Sequence, residues 1–190
     1  MGAVMLALLA PMLVAAPVSD PVERWRPLTQ EAARRTGLPE AWILAVLRAE
    51  SGGHVARGGR PIRSVKGAIG LMQLMPGTWS EMRARLGLGD DPDDPRDNIM
   101  AGAFYLRAMY DRFGHPGLFA AYNAGPARYA AYLAGRARLP SETRVYLARI
   151  DAQAPQAPQQ APALSPLFVV LARAGTGPAT ALPPEPQAVL

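Results

Sequence analysis

The sequence predicts a mainly α fold built as one helical domain. Three observations carry that expectation. Apolar residues recur at i, i+3, i+4 and i+7 spacings between residues 28 and 151. No alternating strand pattern of useful length appears there. The chain has 190 residues, 49% hydrophobic and 18% charged, which suffices to bury a single core without metals or disulfides.

Residues 3–16, AVMLALLAPMLVAA, form an apolar stretch of signal-peptide length. Small residues at Val14, Ala15 and Ala16 would suit a cleavage point, whereas Pro17 and the lack of any Lys or Arg before Arg24 do not. Residues 1–20 are therefore expected to be an export signal or an uncleaved apolar arm, too short to span a bilayer. The first helix with a clear register follows Pro39, which can open a helix at its first position. It places Ile43, Val46, Leu47 and Glu50 on one face and stops at Ser51-Gly52-Gly53. Residues 54–66, rich in Gly, Arg and Pro, are expected to be a loop. A short apolar turn follows from Gly70 to Met75. Pro76 then starts a helix that runs to about Leu86, before Gly87 and Gly89.

The stretch DDPDDPRDN at 90–98 reads as a polar connection in which Asp97 or Asn98 suits a helix N-cap. It lacks the central Gly and the final Glu of a calcium-binding EF-hand loop, so no metal is expected. A long helix follows to about Phe113, with Ile99, Ala103, Leu106 and Tyr110 in register and Gly114 as its stop. Leu118–Ala124, Pro126–Leu133 and Ser141–Ile150 read as three more short helices. From residue 152 the composition shifts to Pro, Ala and Gln. AQAPQAPQQAPA predicts an extended or disordered tail over 152–190, interrupted by the apolar patch LFVVL at 167–171. The helical domain is thus expected over residues 21–151.

Composition removes several function classes. There are no cysteines and only two histidines, His54 and His115. That excludes disulfide frameworks, thiolate metal sites, cysteine nucleophiles and His-rich metal centres. Net charge is +5, with Lys66 the only lysine. The excess lies mainly in residues 101–150, which carry seven basic and two acidic groups. The arginines fall at helix-surface spacings without clustered aromatics, which argues against a nucleic-acid surface. Two readings remain: a solvated face, or attraction to a polyanionic surface such as a cell wall or lipid headgroups.

Glu50 is the residue that asks for an explanation. A carboxyl on a core-facing stripe loses hydration, and desolvation raises its pKa toward the range of a general acid. The alternative is a helix-terminal Glu whose head escapes to solvent past Ser51-Gly52. Leu71, Met72, Leu74 and Met75 read equally as core or as a cleft lining. Asn123-Ala124-Gly125 is also an ordinary helix stop, and Ser64 an ordinary loop hydroxyl.

Four motifs in order bear on these choices. Glu50-Ser51 ends a helix, and Ser64 precedes GAIGLMQLMPGTW at 67–79. AYNAGPARY follows at 121–129 and SETRVYLARI at 141–150. Together they resemble the soluble lytic transglycosylase family, lysozyme-like enzymes that cut peptidoglycan, over roughly residues 28–151. The resemblance implies a lysozyme-like helical domain with a substrate cleft. It implies that Glu50 is the catalytic acid/base and that Ser64 contacts the muramic-acid residue at the cut. Gln73 and Met75 would be substrate-cleft residues, Tyr122 and Asn123 the pair beside the glutamate, and Tyr146 the late tyrosine that reaches back toward it. The sequence departs from the family pattern between Gly52 and Arg63, where HVARGGRPIR is longer and richer in Gly and Arg.

The motifs offer one acid, Glu50; the nearest later one, Glu81, sits among solvent-facing arginines. A single acid fits the route the resemblance implies. Glu50 protonates the bond between N-acetylmuramic acid and N-acetylglucosamine, then takes the proton of the muramic C6 hydroxyl, leaving a 1,6-anhydromuramic end without water or cofactor. The expected partners are peptidoglycan glycan strands and, through the tail, secretion or conjugation machinery; nucleic acid is not among them. The expected location is outside the cytoplasm, in the periplasm. The alternatives are a hydrolytic muramidase, which would need a second carboxylate or a water-holding group, and a wall-binding subunit without turnover.

Overall fold

A computed structural model describes residues 20–152. The export-like segment and the Pro/Ala/Gln-rich tail lie outside the described residues. A 3-10 turn at Glu23–Trp25 leads into α1 (Arg26–Thr36), a helix with no counterpart among those read from Pro39 onward. Pro27 stands in its first turn, where a missing N–H costs nothing. Next come α2 (Glu40–Ser51), the antiparallel strands β1 (Ala56–Arg57) and β2 (Arg60–Pro61), and α3 (Pro76–Leu86). The chain continues through α4 (Pro95–Phe113), α5 (Gly117–Ala124), α6 (Pro126–Leu133) and α7 (Ser141–Asp151).

The fold is mainly α, as the spacing predicts. Helix α4 forms its spine and packs against α1, α3 and α5, while α2 packs against α1 and α7. Ile43, Val46 and Leu47 of α2 and Ile99, Ala103 and Leu106 of α4 are all fully buried. Tyr110, the last member of the predicted α4 register, is half-buried and packs its ring against Trp42. Burying side chains of this size stabilises by about 1.5–3 kcal/mol each relative to exposure.

Three local expectations are corrected. Residues 56–61 are not loop but a two-stranded ribbon, pairing Ala56 with Pro61 and Arg57 with Arg60. Gly58 and Gly59 both take positive φ, 59° and 74°, as a two-residue hairpin turn of matching twist requires. Pro39 is not the first helical residue. Its ψ of 129° leaves it outside, and the helix starts at Glu40. The cap of α4 is Asp94, whose side chain accepts from the Asp97 N–H at 2.9 Å. This puts Pro95 at the first helical position and frees Asn98 for a role inside the domain.

Candidate active site

Helix α2 ends at Glu50-Ser51 because Gly52 turns left-handed, with φ of 61°, and its N–H closes on the Arg48 carbonyl. The Glu50 side chain leaves the apolar stripe at the point where the helix stops. It opens onto a cleft of about 360 Å³ whose lining includes Ser64, Gln73, Met75, Tyr122 and Asn123. Tyr146 lines an adjoining cavity that shares Glu50, Ser64, Gln73 and Asn123 with the cleft. The other six residues singled out in the sequence therefore line the cleft at Glu50 or the cavity adjoining it.

Burial pushes the Glu50 carboxyl up to about 7, because desolvation disfavours the charged form. The Tyr146 hydroxyl opposes that rise, and the charge of Glu142 adds to it. Tyr146 is buried on α7, and its hydroxyl is the one buried side-chain polar atom among the described residues without a hydrogen bond of ordinary geometry. It stands close enough to Glu50 for each group to shift the other's ionisation. Tyr122 is also buried, and its hydroxyl donates to the Met72 carbonyl at 2.8 Å. Burial and then the Glu50 charge push its pKa well up, so it stays a neutral donor.

The other wall is made of irregular backbone. Ser64 Oγ accepts the Ala68 N–H at 2.9 Å, which leaves its own proton free to donate into the cleft. Gln73 takes a left-handed φ of 46°, unusual for a residue with a Cβ. Its Nε2 donates to the Gly70 carbonyl at 2.7 Å. Met75 is 47% exposed, an apolar surface at the cleft rim rather than core.

Asn98 holds this wall in place. Wholly buried in the first turn of α4, its Oδ1 accepts the Met72 N–H at 2.8 Å. Its Nδ2 donates to the carbonyls of Ile69 and Pro92 at 3.2 and 3.0 Å. A side chain at Gly70 would come within 2.3 Å of that amide. The aspartates of the 90–98 stretch serve the same scaffold. Asp97 accepts the Gly89 N–H, and Asp93 is forked by Arg63 at 2.6 and 2.5 Å.

The structure also brings into the cleft a residue of the SETRVYLARI motif to which the sequence assigns no role. Glu142, in the first turn of α7, lines the cleft with Glu50. Its carboxylate accepts from Lys66 Nζ at 3.0 Å, a pair that joins the two walls. A signal is present in the spacing: Glu142 lies four residues before Tyr146 and so on the same helical face. The single acid expected from the motifs is thus joined in the cleft by a second carboxylate, which pairs with the only lysine. Among the described residues no group of three or more His, Asp or Glu could hold a metal ion.

Comparison with known proteins finds lytic transglycosylases among those similar to this chain. The soluble lytic murein transglycosylase of Escherichia coli K12 is 38% identical over 98 residues, 48% of this chain and 14% of that protein. The membrane-bound lytic murein transglycosylase C of Haemophilus influenzae PittGG is 31% identical over 129 residues, 60% of this chain and 34% of that protein. This chain thus spans only a minor part of those relatives. The crystal structure of the 70 kDa soluble lytic transglycosylase from Escherichia coli superposes with a TM-score of 0.59 at 32% identity, over 68% of this chain and 23% of that one. The model of the Transglycosylase SLT domain matches residues 27–144, a span that includes Glu50, Ser64, Gln73, Met75, Tyr122 and Asn123, and the chain belongs to that family.

Proposed function

We propose that the protein is a peptidoglycan lytic transglycosylase that cleaves the β-1,4 bond from N-acetylmuramic acid to N-acetylglucosamine and leaves a 1,6-anhydromuramic end. The observation that carries the reading is a carboxyl held near pH 7 at the floor of a cleft lined by the family's motif residues. At neutral pH a substantial fraction of Glu50 is protonated and able to give its proton to the glycosidic oxygen. Once ionised, it sits in a site that favours taking a proton back, here from the muramic C6 hydroxyl as that oxygen closes on C1. The bond from C1 to the leaving oxygen breaks, the bond from C1 to O6 forms, and the proton balance returns to its start.

The surrounding residues take roles that their geometry suits. Tyr146 and Tyr122, both neutral, flank the carboxyl. Ser64 has a free proton to offer the muramic residue. Gln73 and Asn123 hold sugar hydroxyls and amides, and Met75 gives a ring face an apolar surface. Residues 21–151 form the catalytic domain. The 1–20 segment would export it to the periplasm, and the 152–190 tail would engage secretion or conjugation machinery.

Glu142 favours a second reading, hydrolysis, because a second carboxylate is what a muramidase requires. Its ion pair with Lys66 argues for a contact role instead. Product mass decides the matter. Muropeptides released from purified peptidoglycan are expected to be about 18 Da lighter than hydrolysis products, the mass of one water. Glu50→Gln is expected to lower their release by about 10²–10⁴-fold. Reducing-end products would establish the muramidase. Binding without products from either protein would establish a docking subunit.

A further inference from the structure

The chain has no cysteine, so the side chains most open to two-electron oxidation are its eight methionines. Burial separates those among the described residues. Met72, Met82, Met100 and Met109 are packed in the core, none of them more than 6% exposed. Met75 is 47% exposed. Trp42 and Trp79 are buried as well. A core methionine is reached only when the fold opens locally, whereas the Met75 thioether meets solvent in the folded protein. Among the described residues an oxidant arriving from solution thus finds one exposed methionine, and that one stands in the cleft.

Position gives the site its consequence. Met75 lines the cleft with Glu50 and also a smaller adjoining cavity of about 180 Å³, whose lining includes Thr78, Tyr105 and Tyr122. Its backbone is fixed. Met75 precedes Pro76 as the cap of α3, with ψ of 147°, and its carbonyl accepts the Trp79 N–H at 2.9 Å. Oxidation therefore changes the surface that the side chain offers and not the course of the chain. The thioether is soft and apolar, whereas the sulfoxide is polar and chiral. Water solvates a sulfoxide oxygen while the cleft is empty. A sugar ring lying on it removes that water, and the C–H groups of a ring face return no hydrogen bond.

We propose that Met75 is a reversible oxidation site through which hydrogen peroxide lowers the affinity of the cleft for glycan. In the step, the sulfur lone pair attacks one peroxide oxygen, the O–O bond breaks and an S–O bond forms. The sulfur is oxidised by two electrons, the peroxide is reduced by the same two, and the oxygen that is not transferred leaves as water. A reductase acting on methionine sulfoxide reverses the change. The inference rests on the glycan-cleaving reading for its ligand and adds a control to it. Cutting of the wall slows while peroxide is present and recovers afterwards, with Glu50 untouched.

Mass and binding test this without cleavage. The full chain carrying Glu50→Gln is treated with dilute hydrogen peroxide and sampled over time. Each gain of about 16 Da, the mass of one oxygen, is placed by peptide fragmentation. Met75 is expected to be oxidised at least about tenfold faster than Met72, Met82, Met100 and Met109. Affinity for intact sacculi is expected to fall by about tenfold in step with the Met75 sulfoxide. It should return with the paired methionine sulfoxide reductases, one for each epimer. Adding Met75→Gln should weaken binding with no oxidant present. Adding Met75→Leu, compared with itself before and after peroxide, should abolish the response. An unchanged melting temperature after oxidation would show that contact and not folding is lost. The proposal is overturned if Met75 reacts no faster than the core methionines, or if its sulfoxide leaves the affinity as it was. An equal loss in the Met75→Leu chain, or a melting temperature that falls in step with affinity, overturns it too. Failure of the cleavage reading would look different: no glycan released by the untreated chain with Glu50 intact, while peroxide still weakens binding to sacculi. Absence of sacculus binding before any treatment overturns both.

Discussion

On one side of the cleft Glu50, Tyr122 and Tyr146 stand on α2, α5 and α7, with both tyrosines buried in the helical packing. On the other, Ser64, Lys66, Gln73 and Met75 stand on irregular backbone between β2 and α3, and all but Gln73 are exposed. The helical wall sets an ionisation state, which needs low polarity and so needs burial. The irregular wall offers hydroxyl, ammonium, amide and thioether groups to a ligand, which needs exposure. Exposure removes the packing that normally orders side chains. Here backbone hydrogen bonds to buried polar side chains replace it, chiefly through Asn98.

Removing Asn98 is the strongest way to break that arrangement. Asn98→Ala would strand the buried Met72 N–H and take a donor from the Pro92 carbonyl, while the Ile69 carbonyl would keep only the Leu74 N–H. A destabilisation of about 3–4 kcal/mol is expected, as for loss of a buried polar network. Turnover should fall in the fraction that remains folded, because the Gly70–Gln73 turn loses its brace. Urea unfolding and activity per folded molecule check the two parts. An unfolding midpoint like the parent's would mean that the irregular wall is held by its own turn chemistry.

The helical wall makes a contrasting prediction, one that depends on pH. Glu50 titrates near 7 in the folded protein and near 4.5 when free of its surroundings. Between those values the folded state holds a proton that the unfolded state has released. Stability therefore falls as pH rises through that window, and the loss is complete above about pH 7. Glu50→Gln carries no such penalty and should be more stable than the parent by up to about 3 kcal/mol at pH 8, with the advantage vanishing toward pH 4. Unfolding curves of both proteins at several pH values would show it; parallel pH dependences would mean that the carboxyl is not desolvated. The same ionisation should lower cleavage on the alkaline side of neutrality as the acid form is lost.

Much of the helical wall is legible in the amino-acid sequence. Helix ends announce themselves through Pro76, Gly87, Gly114 and Pro126, and the apolar stripe of α2 carries Glu50 toward the core. The irregular wall is legible only as motif. The Gly58-Gly59 turn gives little signal because the residues around it do not alternate as strand residues do. The work of Asn98 is hidden because the groups it satisfies are backbone atoms, which no side-chain pattern records. Glu142 stands in the SETRVYLARI motif and on the helical face of Tyr146, but its approach to Glu50 is hidden, because that comes only through the packing of α2 against α7.

The smallest expected effect concerns the contact that joins the two walls. Lys66 and Glu142 meet at 3.0 Å with side chains 75% and 68% exposed, so solvent screens most of their attraction. Lys66→Ala should cost no more than about 1 kcal/mol in stability, and less at high salt. Its effect on ionisation should be easier to see. The Glu142 charge already raises Glu50, and without the ammonium beside it that charge is no longer offset. The alkaline limb of the pH–rate profile should then move to higher pH in Lys66→Ala, and Glu142→Gln should move it to lower pH. Two profiles unmoved from the parent would mean that the irregular wall contacts the ligand but has no influence on the acid opposite it. Opposite shifts in the two variants would show that an exposed ion pair, negligible for folding, helps to hold Glu50 at its working protonation.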